Sequence, residues 1–208
     1  MIEFLFKQKN KINKGRKILS EAKGFTLVET LVAVAIFTVS ITALMATLAS
    51  GISNTTYAKE KITATYLAQE GIEYMRNMRD DYVLYPANGG WNSFVAKIYP
   101  CTVTSCYFKD QDLGLSQMKD ITIDKCVGTN TCHLYYVSSG AGEGKYTYDS
   151  SDVGTVSVDS GFIRTITVNP SLNGGQEMKV TSTVSWKQGS GNYYVSLSEN
   201  LFNWTEQP

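Results

Sequence analysis

The sequence predicts an α+β fold. A long N-terminal α-helix, hydrophobic in its first half and amphipathic in its second, packs on a C-terminal antiparallel β-sheet, with a loop-rich, disulfide-bearing insertion between them. Three observations carry this. Residues 30–52 are 23 consecutive uncharged, mostly apolar residues. Downstream, apolar residues recur at helical spacing, and the C-terminal third alternates apolar and polar side chains with a period of two. The chain has 208 residues, enough for one domain or for one domain and an anchor. With 43% hydrophobic and 12% aromatic residues it can build a core, which excludes wholesale disorder.

The apolar run is long enough to cross a bilayer as a helix. No proline precedes Pro86, so nothing in the sequence stops the helix at a membrane surface. The zero net charge conceals an asymmetry. Residues 1–24 carry seven basic side chains (Lys7, Lys9, Lys11, Lys14, Arg16, Lys17, Lys23) against Glu3 and Glu21, a net of +5. The rest carries 12 basic and 17 acidic residues, a net of −5. A basic head before the apolar run leaves the N-terminus cytoplasmic and exports the body. An acidic body argues against general nucleic-acid binding.

Three ordinary explanations of such a run are a cleaved secretory signal, a lipoprotein signal and a plain anchor. A secretory signal has an apolar region of only about 7–15 residues. A lipoprotein needs a cysteine that the segment lacks. A plain anchor gains nothing from Glu29, the one charge between residues 25 and 58. A carboxylate within the membrane is costly, less so near the end of the span, and such an unpaired acid is usually functional.

The stretch Lys23-Gly24-Phe25-Thr26-Leu27-Val28-Glu29, followed by the apolar run, resembles the class III signal of type IV prepilins and type II secretion pseudopilins. The resemblance implies cleavage by prepilin peptidase after Gly24 and methylation of the new N-terminal Phe25. It also implies that Glu29 is the acid that meets the Phe25 amine, of a neighbour or of its own chain, when the helices bundle. It divides the chain into a removed leader (1–24), a transmembrane and assembly half-helix (25–56) and an exported pilin-like domain (57–208). The implied partners are prepilin peptidase, other pilin or pseudopilin subunits and an inner-membrane assembly platform. The implied location is a single-pass membrane protein that later reaches a surface pilus or pseudopilus. Glycine before the cut lets an extended backbone enter a protease site closely. Small residues such as Ala33, Ala43 and Gly51 suit close helix approach, although they are also ordinary membrane-helix composition.

Beyond the run, Ala64, Leu67, Ala68, Gly71, Ile72, Met75 and Met78 form an amphipathic stripe. Lys59, Glu60, Lys61, Glu70, Glu73, Arg76 and Arg79 occupy the other faces. The helix is expected to end near Arg79, where Asp80-Asp81 and then Pro86, Gly89 and Gly90 follow. Its tail, LAQEGIEYMRNMRD, resembles minor pilins of the V-like or I-like kind.

In the C-terminal part, Phe162, Ile166 and Val168 alternate with Ile163, Thr165 and Thr167. Met178, Val180, Ser182, Val184 and Trp186 alternate with polar residues, and Tyr193, Val195 and Leu197 continue after the turn at 189–192. These runs predict an antiparallel meander over 162–199 with one face on the helix. Residues 82–160 read as the insertion, with short strands near 121–123 and 134–137.

The insertion holds Cys101, Cys106, Cys126 and Cys132. An even count in an exported domain favours two disulfides over a zinc site, whose tight C-x2-C spacing is missing. Of the three connectivities, which sequence does not separate, the local loops Cys101–Cys106 and Cys126–Cys132 are the expected pairing. His133 reads as a loop residue, and Asp80-Asp81, Asp110 and Asp112 as solvated turn charges. No nucleophile–base motif or phosphate loop occurs, so neither an enzyme, a cofactor nor a metal is expected. The function expected is a structural, minor subunit of a type IV pilus or secretion pseudopilus. The alternative is an anchored adhesin or DNA-uptake factor that uses a prepilin signal for export.

Overall fold

The computed structural model describes residues 24–109, 120–128, 131–140, 142–148, 156–172 and 175–204. The chain divides into two compact units, Met1–Ser53 and Asn54–Pro208. A single helix, α1 (Leu27–Leu84), contributes to both.

In the first unit every described residue is exposed, from Gly24 to Ser53. Apolar side chains fill the surface; Val28, Phe37, Val39, Leu44 and Met45 are all open. This part of α1 contains a window of mean hydropathy 2.3, long and apolar enough to cross a membrane. Its many β-branched residues are mediocre helix formers in water. In lipid a helix is favoured because it satisfies every backbone polar group within the segment. The hydroxyls obey the same rule. Thr38, Ser40, Thr42, Thr47 and Ser50 each donate to a carbonyl three or four residues back, at 2.8–3.1 Å.

In the second unit α1 changes character. Ala64, Leu67, Ala68, Gly71, Ile72, Met75 and Met78 are buried, as the spacing predicts, and Tyr82 and Val83 extend the stripe. The helix therefore runs to Leu84, beyond the end expected near Arg79. The aspartates do not stop it, because they lie off the buried stripe. Asp80 accepts from Arg79 Nε at 2.7 Å, and Tyr82 and Val83 gain burial by staying helical. Asn88, in a 3-10 turn (Pro86–Asn88), donates through Nδ2 to the carbonyl of Asp81 in the last turn of α1 at 2.9 Å.

The sheet is antiparallel throughout. Its frame is the predicted meander, β5 (Val156–Leu172), β6 (Glu177–Gln188) and β7 (Gly191–Phe202), with β6 between the other two. Met178, Val180, Ser182, Val184 and Trp186 all face inward, as their alternation requires. The first strand starts six residues before the expected Phe162. It does so through a bulge at Ser160 and Gly161, where the pairing slips between Leu134 and Tyr135. Gly161 has a positive φ of 75° there.

The middle segment departs most from expectation. It forms α2 (Gly90–Ile98), α3 (Pro100–Val103), β1 (Cys106–Phe108), β2 (Ile123–Lys125), β3 (His133–Ser139) and β4 (Tyr146–Thr147). Strands β3 and β1 both pair with β5, β4 pairs with β3, and β2 with β1. Trp91, Phe94, Ile98, Phe108 and Ile121 are core residues. What reads as an insertion is therefore part of the fold, since its scattered aromatics are needed to cover the far end of the helix–sheet core. His133 begins β3 rather than lying in a loop. Ile121 is buried just ahead of β2 rather than in it. Asp110 and Asp112 lie outside the described residues.

The core is two apolar clusters with a polar waist between them. Ala64, Leu67, Ala68, Leu134, Phe162, Val184 and Trp186 form one, and Ile72, Met75, Met78, Phe94, Phe108, Val180 and Leu201 belong to the other. At the waist stand Gly71, Arg164 and Ser182. A Cβ on Gly71 would lie 2.5 Å from Ser182 Oγ and 2.9 Å from Ile166 Cδ1, so only glycine lets the helix approach the sheet there.

Candidate assembly site

Thr26 precedes the first helical residue and caps α1. Its Oγ1 accepts from the Glu29 backbone N–H at 3.3 Å, and its carbonyl accepts from Thr30 N at 3.1 Å. Thr26 and Glu29 have the spacing of a capping box, in which the acid would bond back to the cap residue's N–H. Among the described residues that return bond is absent, and the Glu29 carboxylate has no partner. Glu29 lies in the first turn, where the helix dipole favours negative charge. A carboxylate set beside apolar side chains and left unpaired has its strongest interactions still to make.

Gly24 and Phe25 lie ahead of the helix, both exposed, Phe25 at 76%. A residue on Gly24 would meet nothing within 4 Å, so glycine is not required there by packing. The sequence-predicted trio Gly24, Phe25 and Glu29 thus falls within one short stretch at the start of α1. The four cysteines form Cys101–Cys106 and Cys126–Cys132, in the second unit. The first closes α3 onto β1 and is buried; the second closes β2 onto β3.

Sequence reading passed over two features. One is Thr26, whose signal was its spacing to Glu29. The other is Arg164, only 1% exposed, on the inward face of β5 between Phe162 and Ile166. Its Nη1 donates to Glu70 Oε2 at 2.5 Å and to the Leu67 carbonyl at 3.2 Å. Its Nε donates to the Tyr148 hydroxyl at 2.7 Å, and that hydroxyl donates to the Arg164 carbonyl. The guanidinium also lies 4.8 and 4.9 Å from the Phe108 and Tyr148 ring centres. One side chain therefore ties α1, the sheet and the middle segment together. Its place in the strand's alternation was legible; its role was not.

A groove of about 680 Å³ runs between α1 and β7, past Tyr66, Glu73, Leu197 and Glu199. Arg76 bridges Glu73 and Glu199 at 2.5 Å each. The hydrogen bond to Glu199 holds the Arg76 guanidinium above its usual pKa. The described residues contain no group of three or more His, Cys, Asp or Glu placed to hold a metal.

A prokaryotic N-terminal methylation motif matches residues 19–45. The chain therefore carries a prepilin-type signal, that of a pilin- or pseudopilin-type exported protein. The motif covers Lys23, Gly24, Phe25, Glu29 and most of the apolar run. The α+β fold, a long N-terminal helix on an antiparallel sheet with two disulfides, is pilin-like. No curated protein and no solved structure matches the chain.

Proposed function

We propose that the chain is a minor subunit of a type IV pilus or secretion pseudopilus. Prepilin peptidase cuts between Gly24 and Phe25, Phe25 is methylated, and the apolar half of α1 first anchors the protein and then joins a bundle of like helices. The observation that carries this reading is the fully exposed apolar half-helix that overlaps a matched methylation motif, with Glu29 at its start unpaired among the described residues. An apolar surface of that extent needs lipid or other helices. Once the cut is made, the Phe25 amine and Glu29 are opposite charges in an apolar setting. Each offsets the other's burial cost.

The minor assignment draws on the middle segment. Among the described residues between helix and meander it adds two short helices, four strands and two disulfides, individual features that a subunit present in few copies can carry. Intact-mass analysis after co-expression with a prepilin peptidase tests the processing. The expected product is residues 25–208 with one added methyl group. A product beginning near Ala49 or Ser50 would make the segment a secretory signal instead. Counting copies in sheared filaments by quantitative mass spectrometry tests the assignment, with far fewer copies expected than of the shaft subunit.

A further inference from the structure

Aromatic side chains crowd the end of the second unit at which α1 enters it. Tyr57 lies 5.0 Å from Tyr193 and 6.2 Å from Trp186, and Tyr193 stacks on Trp186 at 5.8 Å. Lys61 Nζ sits 5.9 Å above the Tyr57 ring. Trp186 faces inward, so the strand alternation turns Lys187 outward. In the β6–β7 register Ser185 opposes Tyr194 and Lys187 opposes Asn192, which makes Lys187 and Tyr194 diagonal neighbours on that outer face. Tyr194 is 73% exposed and Tyr193 37%. The core does not account for a tyrosine that open. Its place near the end of the β6–β7 hairpin, beside Lys187 on an otherwise acidic body, gives it an amphipathic, cationic setting, and Lys61 adds a second cation at the same end of the unit.

Chain connectivity limits where this surface can be. Tyr57 follows Ile52, the last residue of the apolar run, by five residues. Five residues span at most about 18 Å in any conformation. A bilayer's polar layer adds several ångströms on each side of the hydrocarbon, and tyrosine and tryptophan concentrate there. Basic side chains within a Debye length of an anionic surface are attracted to it.

We propose that Tyr57, Lys61, Lys187, Tyr193 and Tyr194 form a docking surface for the headgroups of an anionic bilayer, which holds the domain against the membrane before assembly. The proposal rests on the anchored-prepilin reading given above. It commits to lipid because the complementary charge and the tether to the apolar run both point there.

The test uses the full chain, one copy per nanodisc, in discs of phosphatidylcholine alone or with phosphatidylglycerol. Hydroxyl-radical footprinting reads the exposure of Tyr193 and Tyr194, with the exposed Tyr99 of the α2–α3 junction as internal control. Labelling of Tyr194 should fall about fivefold in the anionic discs, the shift that a single lysine near such a surface supports. Tyr99 should not change. Lys61→Gln with Lys187→Gln should abolish the difference, and Tyr194→Ser should do the same for Tyr193. All three residues are exposed, so the variants should melt like the parent. Equal labelling of Tyr194 in the two kinds of disc would overturn the proposal and leave the anchor reading intact. So would a difference that survives the double substitution. A chain that does not enter the discs would overturn both.

Discussion

The two halves of α1 share a backbone geometry and differ in where their partners are. From Leu27 to Ser53 every side chain is exposed, and apolar residues occupy all faces. From Asn54 to Leu84 one stripe is buried on the chain's own sheet and charges occupy the rest. Each half also has a telling acid. Glu29 stands unpaired among the described residues, whereas Glu70 grips the buried Arg164 at 2.5 Å. The second half is completed by folding. The first finds no cover among the described residues, and it lies within and beyond a prepilin-type methylation motif at 19–45.

Removing either acid should harm only the half of α1 to which it belongs. Glu29→Ala should leave membrane insertion, leader cleavage and the melting of the Asn54–Pro208 unit unchanged, because nothing in that unit depends on it. Incorporation into filaments should fall about a hundredfold, the scale of losing one partner of a desolvated charge pair. Glu29→Gln should fail similarly, since an amide keeps the shape and cannot neutralise an amine. Immunoblots of sheared filaments against the membrane fraction read the result. Wild-type recovery of the Ala variant in filaments would mean that Glu29 is not the docking acid.

Glu70→Ala should do the reverse. It leaves a guanidinium in the core without its carboxylate, a loss of about 3 kcal/mol in the stability of the second unit. Urea denaturation of that unit measures it. Arg164→Met, which removes the charge and keeps most of the volume, should be milder. If the Met variant is the less stable of the two, the waist is held by hydrogen bonds to Leu67 and Tyr148 rather than by charge.

These pairs also show what sequence could and could not reveal. The buried stripe of α1 and the inward face of β6 were readable because each keeps one face buried over several repeats, so periodicity carries the signal. Arg164 occupies an inward position of β5 by the same arithmetic. Its partners, however, come from α1 and from the segment around Tyr148, and no local pattern announces a contact across such separations. The middle segment was under-read for a related reason. Trp91, Phe94, Phe108 and Ile121 are buried from short elements with no period long enough to register, so the segment resembled a loop. The assembly site was legible as a motif, because its chemistry is packed into a few adjacent residues. Thr26 escaped notice because a cap is visible only once the helix start is fixed.

Within the second unit the two disulfides support some elements more than others. The helix and meander bury both apolar clusters and the waist between them, so they should hold in reducing conditions. Segments 99–108 and 121–128 have short strands and few ladder bonds; β1 meets β5 at only one register pair, Cys106 with Ile166. They should lean on Cys101–Cys106 and Cys126–Cys132. The bridges close loops with sequence separations of 5 and 6 residues. On loop-entropy grounds such short loops give about 2 kcal/mol each, less than the charge pair at the waist. Replacing both cysteines of one bridge by alanine should therefore lower the unit's stability by about that amount, measured by urea denaturation. Hydrogen exchange should place the difference. The amides of β6 should stay protected, while those of β1 and β2 open once Cys101–Cys106 is gone. If β6 opens to the same extent, the middle segment and the meander are one cooperative unit, and the bridges support the whole domain.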